Sequence, residues 1–122
     1  MDRSPAGGDS RIAGDQARIG RILGVDPGLH LTGYGVIELD ASETPRLCEA
    51  GVIRGPSRGD IGQRVNVIFD GVREIIAGFH PQVLALEDLY SHYQRPRTAI
   101  LMGHARGVIC LAAAQAGIKV AP

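Results

Sequence analysis

The sequence predicts an α/β domain: a mixed five-stranded sheet in the order β-β-β-α-β-α-β, with helices packed on it. Three observations predict it. Short β-branched runs broken by turn residues fill the first part of the chain, two long stretches carry the three-four spacing of amphipathic helices, and each of those stretches is followed by a brief apolar run. At 122 residues the chain suits one domain with a respectable core and is too short for two.

The elements follow in order. Residues 1–20 are rich in Gly, Ser, Asp and Arg and read as a disordered leader, leaving 21–122 as the domain. Arg21–Val25 reads as a buried strand stopped by Asp26-Pro-Gly28, a turn sequence. Gly33–Asp40 and Leu47–Arg54 read as two more strands, joined across Ala41-Ser-Glu-Thr-Pro45. From Asp60 to Phe79, apolar residues at Ile61, Val65, Ile68, Phe69, Val72, Ile75, Ile76 and Phe79 mark a helix. Asp60 and Gln63 have the spacing of a capping box, and Gly78 with Pro81 is expected to supply the stop.

Val83–Glu87 is a fourth strand, apolar throughout until Glu87-Asp88, and therefore expected to be central, parallel and buried on both faces. A polar and aromatic loop, 89–97, leads into a second helix from Thr98 to Ala116. On it Ala99, Gly103 and Gly107 lie four apart, giving a smooth side that suits either close packing on the sheet or a helix–helix contact between two copies. Gly117 ends that helix and Ile118–Ala121 begins a fifth strand.

Three strands on short links form a meander, and the β-α-β-α-β remainder requires parallel, right-handed crossovers. The simplest such sheet sets strand 1 beside strand 4, so Asp26 and Glu87 end neighbouring strands at the same carboxyl edge, where open α/β sheets hold their ligands. Two carboxylates brought together repel unless a cation lies between them, and an all-oxygen donor set suits Mg²⁺ or Mn²⁺. Taken singly, Asp26 before Pro-Gly is ordinary turn chemistry and Glu87 an ordinary solvated strand end. The pairing favours the metal reading. Asp88 alternates to the other side of the strand.

Composition is consistent with a water-exposed α/β domain: no run approaches the roughly 18 apolar residues of a membrane span, and a cytoplasmic location is expected. Cys48 and Cys110 lack metal-ligand spacing and are expected to be ordinary core residues of a reducing compartment. The formal net charge is zero, yet residues 1–90 hold all thirteen acids against nine bases. Residues 91–122 hold Arg95, Arg97, Arg106 and Lys119 and no acid. That basic segment is either a solvated helix flank or a phosphate-binding surface.

Four motifs occur together: Gly24-Val-Asp-Pro-Gly28, Thr32-Gly-Tyr-Gly-Val-Ile37, Leu86-Glu87 with an aromatic at Tyr90, and Gly103-His-Ala-Arg-Gly-Val108. In this order and spacing they closely resemble the RuvC family of Holliday-junction resolvases over about residues 21–122. The resemblance implies an RNase H-like fold, a homodimer, and endonucleolytic cleavage of four-way DNA junctions in recombination and repair. It also implies two Mg²⁺ ions per complete site and association with a branch-migration helicase. By resemblance, Asp26 and Glu87 are catalytic metal ligands, and Tyr90 is an aromatic that meets junction DNA. A loop aromatic folded over the core is the alternative for Tyr90. On the same loop His92, Tyr93, Arg95 and Arg97 are phosphate or base-stacking candidates. His30 and Thr32 follow Asp26 on the turn and could bond a phosphate, with turn chemistry as the plainer role for His30. Arg106, Gly103 and Gly107 belong to the dimer or packing helix, where a structural salt bridge is the other role open to Arg106.

The family completes its site with further carboxylates on a helix after the fifth strand, whereas no acid follows Asp88 here. The expectation is a C-terminally truncated chain with half a site, weak or inactive by itself and exposing an apolar sheet face. The alternatives are a non-catalytic module that binds junction DNA or dimerises, and an actin-like phosphate-binding ATPase domain, which needs a second similar domain.

Overall fold

The computed structural model describes residues 20–28, 30–87 and 95–122. Five strands, β1 (Gly20–Asp26), β2 (Leu31–Leu39), β3 (Pro45–Arg54), β4 (Val83–Leu86) and β5 (Lys119–Ala121), form one sheet in the order β3-β2-β1-β4-β5. The helices are α1 (Ile61–Phe79) and α2 (Pro96–Gln115). Antiparallel pairing joins β1 to β2 and β2 to β3, and parallel pairing joins β1 to β4 and β4 to β5. The predicted order and the β1/β4 adjacency are both present. Gly20, assigned by sequence to the leader, opens β1, and residues 1–19 lie outside the described residues.

Both crossovers run the same way along the sheet, so α1 and α2 lie on one face and pack against each other. The core lies under them. Leu23 and Val25 of β1, Val36 of β2, and Leu84 and Leu86 of β4 meet Ile68, Val72, Ile75 and Ile76 of α1 and Ala105, Ile109, Ala112 and Ala113 of α2. Gly71 lets α1 approach β3 closely, since a Cβ there would fall 2.8 Å from Ile53 Cδ1. The alternate residues of each strand point to the other face, on which no described element packs. There Leu31, Ile37, Leu47 and Val52 are exposed. The expectation that β4 is buried on both faces is therefore corrected: Leu84 and Leu86 are buried, while Val83 and Ala85 are only half-buried because helices cover one side.

Helix α1 starts as predicted. Asp60 caps it, its carboxylate accepting from Gln63 N–H at 2.8 Å while the Gln63 side chain accepts from Asp60 N–H at 2.9 Å. It does not stop at Gly78, which lies within the last turn. His80 takes the left-handed cap conformation (φ 50°, ψ 55°), its N–H bonding Ile76 O. The end of α2 does use glycine: Gly117 (φ 73°) turns the chain so that Ile118 N–H reaches Ala113 O at 2.9 Å. Both cysteines are exposed, contrary to the core assignment. Cys48 falls at the irregularity where β2 and β3 shift register, on the edge strand, and Cys110 falls on the outward side of α2. Among the described residues no helix is long and apolar enough to cross a membrane.

Candidate functional site

The register between β1 and β4 builds the site. Gln82 fixes where pairing starts: its side-chain oxygen accepts from Arg21 N–H at 2.7 Å and its own N–H bonds Arg21 O at 3.0 Å. From there Ile22 pairs with Val83, Leu23 with Leu84, Gly24 with Ala85 and Val25 with Leu86. One further step sets Asp26 abreast of Glu87, on strands spaced about 5 Å apart. By alternation both side chains project on the open face, opposite the core.

Asp26, Glu87 and Pro122 line one cleft of about 700 Å³ on that face, and both acids are exposed. Among the described residues neither carboxylate takes part in a hydrogen bond or ion pair. The ion pairs present there involve Glu38, at the far end of the sheet, with Arg21 and Arg46. Two carboxylates left without protein cations in a shared cleft suit a hard divalent cation. No group of three or more His, Cys, Asp or Glu able to hold a metal exists among the described residues, so the pair is the whole of the described donor set.

The turn after β1 is held by Gly28, where a Cβ would fall 2.1 Å from Leu31 O. Its neighbour Pro27 is buried, which anchors the chain directly after Asp26. Much of the cleft floor is bare backbone, with only the methyls of Ala50 and Ala85 beside it. Gly33 pairs with Asp26 across β1/β2 and Gly24 pairs with Gly35, all three glycines lining the cleft. A Cβ on Gly33 would meet nothing within 4 Å, so the chain's own packing does not require glycine there. Sequence reasoning missed this floor. Its signal was the alternate glycines of Gly33-Tyr-Gly35, which share a sheet face with Asp26.

The other site residues are distributed unevenly. Tyr90, His92, Tyr93 and Asp88 lie outside the described residues. Arg95 and Arg97 are exposed at the amino end of α2, the end that follows β4 and Glu87, with Arg95 at the N-cap. His30 is exposed, its carbonyl accepting from Gly55 N–H at 2.9 Å. Thr32 is only 1% exposed, its hydroxyl has no partner, and its side chain points to the helix face, so it does not meet a phosphate in the cleft. Gly103 and Gly107 are exposed with open space above them, so the glycine side of α2 does not pack on the sheet. Met102, Ala105, Ile109, Ala112 and Ala113 form the buried side instead. Arg106 is half-buried and its Nη1 donates to Glu87 O at 2.6 Å. A second cavity, about 480 Å³ and lined by Arg73, His80 and Gln115, opens at the opposite, amino edge of the parallel strands.

The family profile described as crossover junction endodeoxyribonuclease RuvC matches residues 22–122. The chain belongs to the RuvC family. Among curated members, the crossover junction endodeoxyribonuclease RuvC of Rhodopirellula baltica is 56% identical over 101 residues, covering 81% of this chain and 55% of the relative. That of Halorhodospira halophila is 44% identical, covering 83% and 59%. The chain thus spans little more than half the length of these relatives. A structure of T. thermophilus RuvC in complex with Holliday junction substrate superposes with a TM-score of 0.75 at 28% identity, covering 82% of this chain and 63% of that one. The yeast mitochondrial Holliday junction resolvase Ydc2 shares the fold at a TM-score of 0.60 and 11% identity, covering 84% and 49%. The mixed five-stranded sheet is the RNase H-like fold of this family.

Proposed function

We propose that this chain is the core of a metal-dependent endonuclease that resolves four-way DNA junctions in recombination and repair, with Asp26 and Glu87 as two of its catalytic metal ligands. The observation that supports this most strongly is the placement of the two acids. They end adjacent parallel strands of the RuvC fold, project on the open face, and share a cleft floored by glycines and two alanines. The curated relatives are crossover junction endodeoxyribonucleases, which supports the reaction class, and the T. thermophilus protein holds a Holliday junction as substrate, which supports the choice of DNA.

Mg²⁺, or Mn²⁺ in its place, is the cation this donor set suits, with two ions in a complete site. When bound, such ions supply charge for the attacking and leaving oxygens of phosphodiester hydrolysis. The chain's own residues hold the ions and leave the strand backbone open to the DNA. Arg95 and Arg97 on the amino end of α2 are assigned to the DNA phosphates, and Tyr90 and His92, which lie outside the described residues, to the DNA by family resemblance. The outward side of α2, with Ile100 63% and Leu111 48% exposed beside Gly103 and Gly107, is the surface for a second copy. We assign the protein to the cytoplasm and to partnership with a branch-migration helicase by its family.

Two carboxylates do not balance two divalent ions, so the 122-residue chain is expected to bind Mg²⁺ weakly. The test joins it to the portion of the Rhodopirellula baltica relative outside the matched region. This chimera is expected to cut a synthetic four-way junction with Mg²⁺, and Asp26→Asn to abolish cutting while junction binding persists. Cleavage retained by the Asn variant sinks the assignment. Junction binding by an uncut chimera favours a binding module instead.

A further inference from the structure

We infer that Arg106 is a positioning residue for the metal site: from α2 it clamps the main chain at Glu87 and so fixes where that carboxylate stands. The inference rests on the metal reading of Asp26 and Glu87. The β1/β4 ladder ends with Val25 and Leu86, and the β4/β5 ladder with Ala85 and Ala121. Glu87 therefore lies one step past the pairing with β1 and two steps past the pairing with β5, where no ladder bond fixes its backbone. Its carbonyl oxygen accepts instead from Arg106 Nη1 at 2.6 Å, a charge-assisted bond across 19 residues of sequence.

The donor is on a rigid support. Arg106 directly follows Ala105, 3% exposed, and lies one turn before Ile109, which is fully buried, so the core holds the helix that carries it. The Glu87 side chain is exposed in the cleft. A long side chain on an unpinned backbone samples many positions, and pinning the backbone removes part of that freedom. Partners that orient a metal ligand typically alter affinity about 10–100-fold when removed.

The direction of the effect separates positioning from electrostatics. A guanidinium that merely neutralised the acids would donate to their carboxylate oxygens, and deleting it would tighten cation binding. Arg106 donates to the main-chain oxygen, so its loss frees the backbone at Glu87, and loosened binding is the sign of positioning where a purely electrostatic role gives tightening.

The test follows amide resonances of Asp26 and Gly33 in the full 122-residue chain during Mg²⁺ titration, with thermal unfolding measured alongside. Arg106→Met is expected to raise the Mg²⁺ dissociation constant about 10-fold, and Arg106→Lys by a smaller factor. Arg46→Ala, which removes an arginine from the far end of the sheet, is expected to leave it unchanged. A dissociation constant within about two-fold of wild type for Arg106→Met, or tighter binding in either variant, overturns the inference. If Arg106→Met does not fold, Arg106→Lys decides alone, and wild-type affinity there overturns it. Wild-type shifts that vanish in Asp26→Asn but persist unaltered in both Arg106 variants remove this inference and leave the metal reading standing. Absence of any Mg²⁺-dependent shift near Asp26 in the wild type removes both.

Discussion

Gly33 allows the fold and the function to be tested in opposite directions. It stands in β2, its backbone is not in the left-handed region, and a Cβ would meet nothing within 4 Å. Glycine inside a strand costs roughly 0.5–1 kcal/mol relative to alanine, because the unfolded chain loses more freedom on folding. Gly33→Ala therefore recovers about that amount. At about 4–8 °C per kcal/mol for a domain of this size, the midpoint of thermal unfolding rises by about 2–8 °C. The same methyl lands opposite Asp26, its register partner, with Cβ atoms about 5 Å apart. Gly33→Val adds two more methyls in a residue that strands accept well. If a phosphodiester approaches the bare backbone, a displacement of about 1 Å there costs about 100-fold in cleavage. The assay pairs circular-dichroism melting of the chain with single-turnover cleavage by the chimera, for glycine, alanine and valine. A fall in melting temperature for Gly33→Ala refutes the claim of open space. Undiminished cleavage by a folded Gly33→Val protein refutes the claim that substrate occupies this cleft.

Three further outcomes follow from the structure. Leu84 is fully buried at the centre of the sheet, so Leu84→Ala is expected to cost about 3–5 kcal/mol by denaturant unfolding, whereas truncating the exposed Leu47 costs far less. Hydrogen bonds from Arg46 and then Arg21 hold the Glu38 carboxyl below the usual glutamate range. Its contribution to stability is therefore present above the unfolded-state value and is lost as pH falls through the depressed folded value, and Glu38→Gln should flatten that acid limb of the stability curve. Leu111→Asp places a charge on the outward side of α2, where the isolated chain tolerates it. Sedimentation is expected to show a dimeric wild type and a monomeric variant, and an unchanged mass refutes the proposed α2 interface.

The sequence by itself determined the element order, the Asp60 capping box, the glycine stop after α2, and the approach of Asp26 to Glu87. These are consequences of local chemistry and of connection rules: apolar period, cap spacing, and the right-handed crossover that brings β4 beside β1. Tertiary structure decided what depends on which side is covered. Apolar character alone did not show that β4 has a helix-free face, because both crossovers place their helices on the same side. For the same reason the cysteines were assigned to the core and Thr32 was offered to a phosphate: burial of a small residue depends on the neighbour across from it. The helix stop at His80 in place of Gly78 followed from where the Phe79 and Ile76 carbonyls found partners, in Arg21 and His80. The link from Arg106 to the Glu87 carbonyl spans 19 residues, and only the packing of α2 beside β4 brings the two together. Sequence chemistry supplied the two acids, and the register set by Gln82 put them abreast in one cleft.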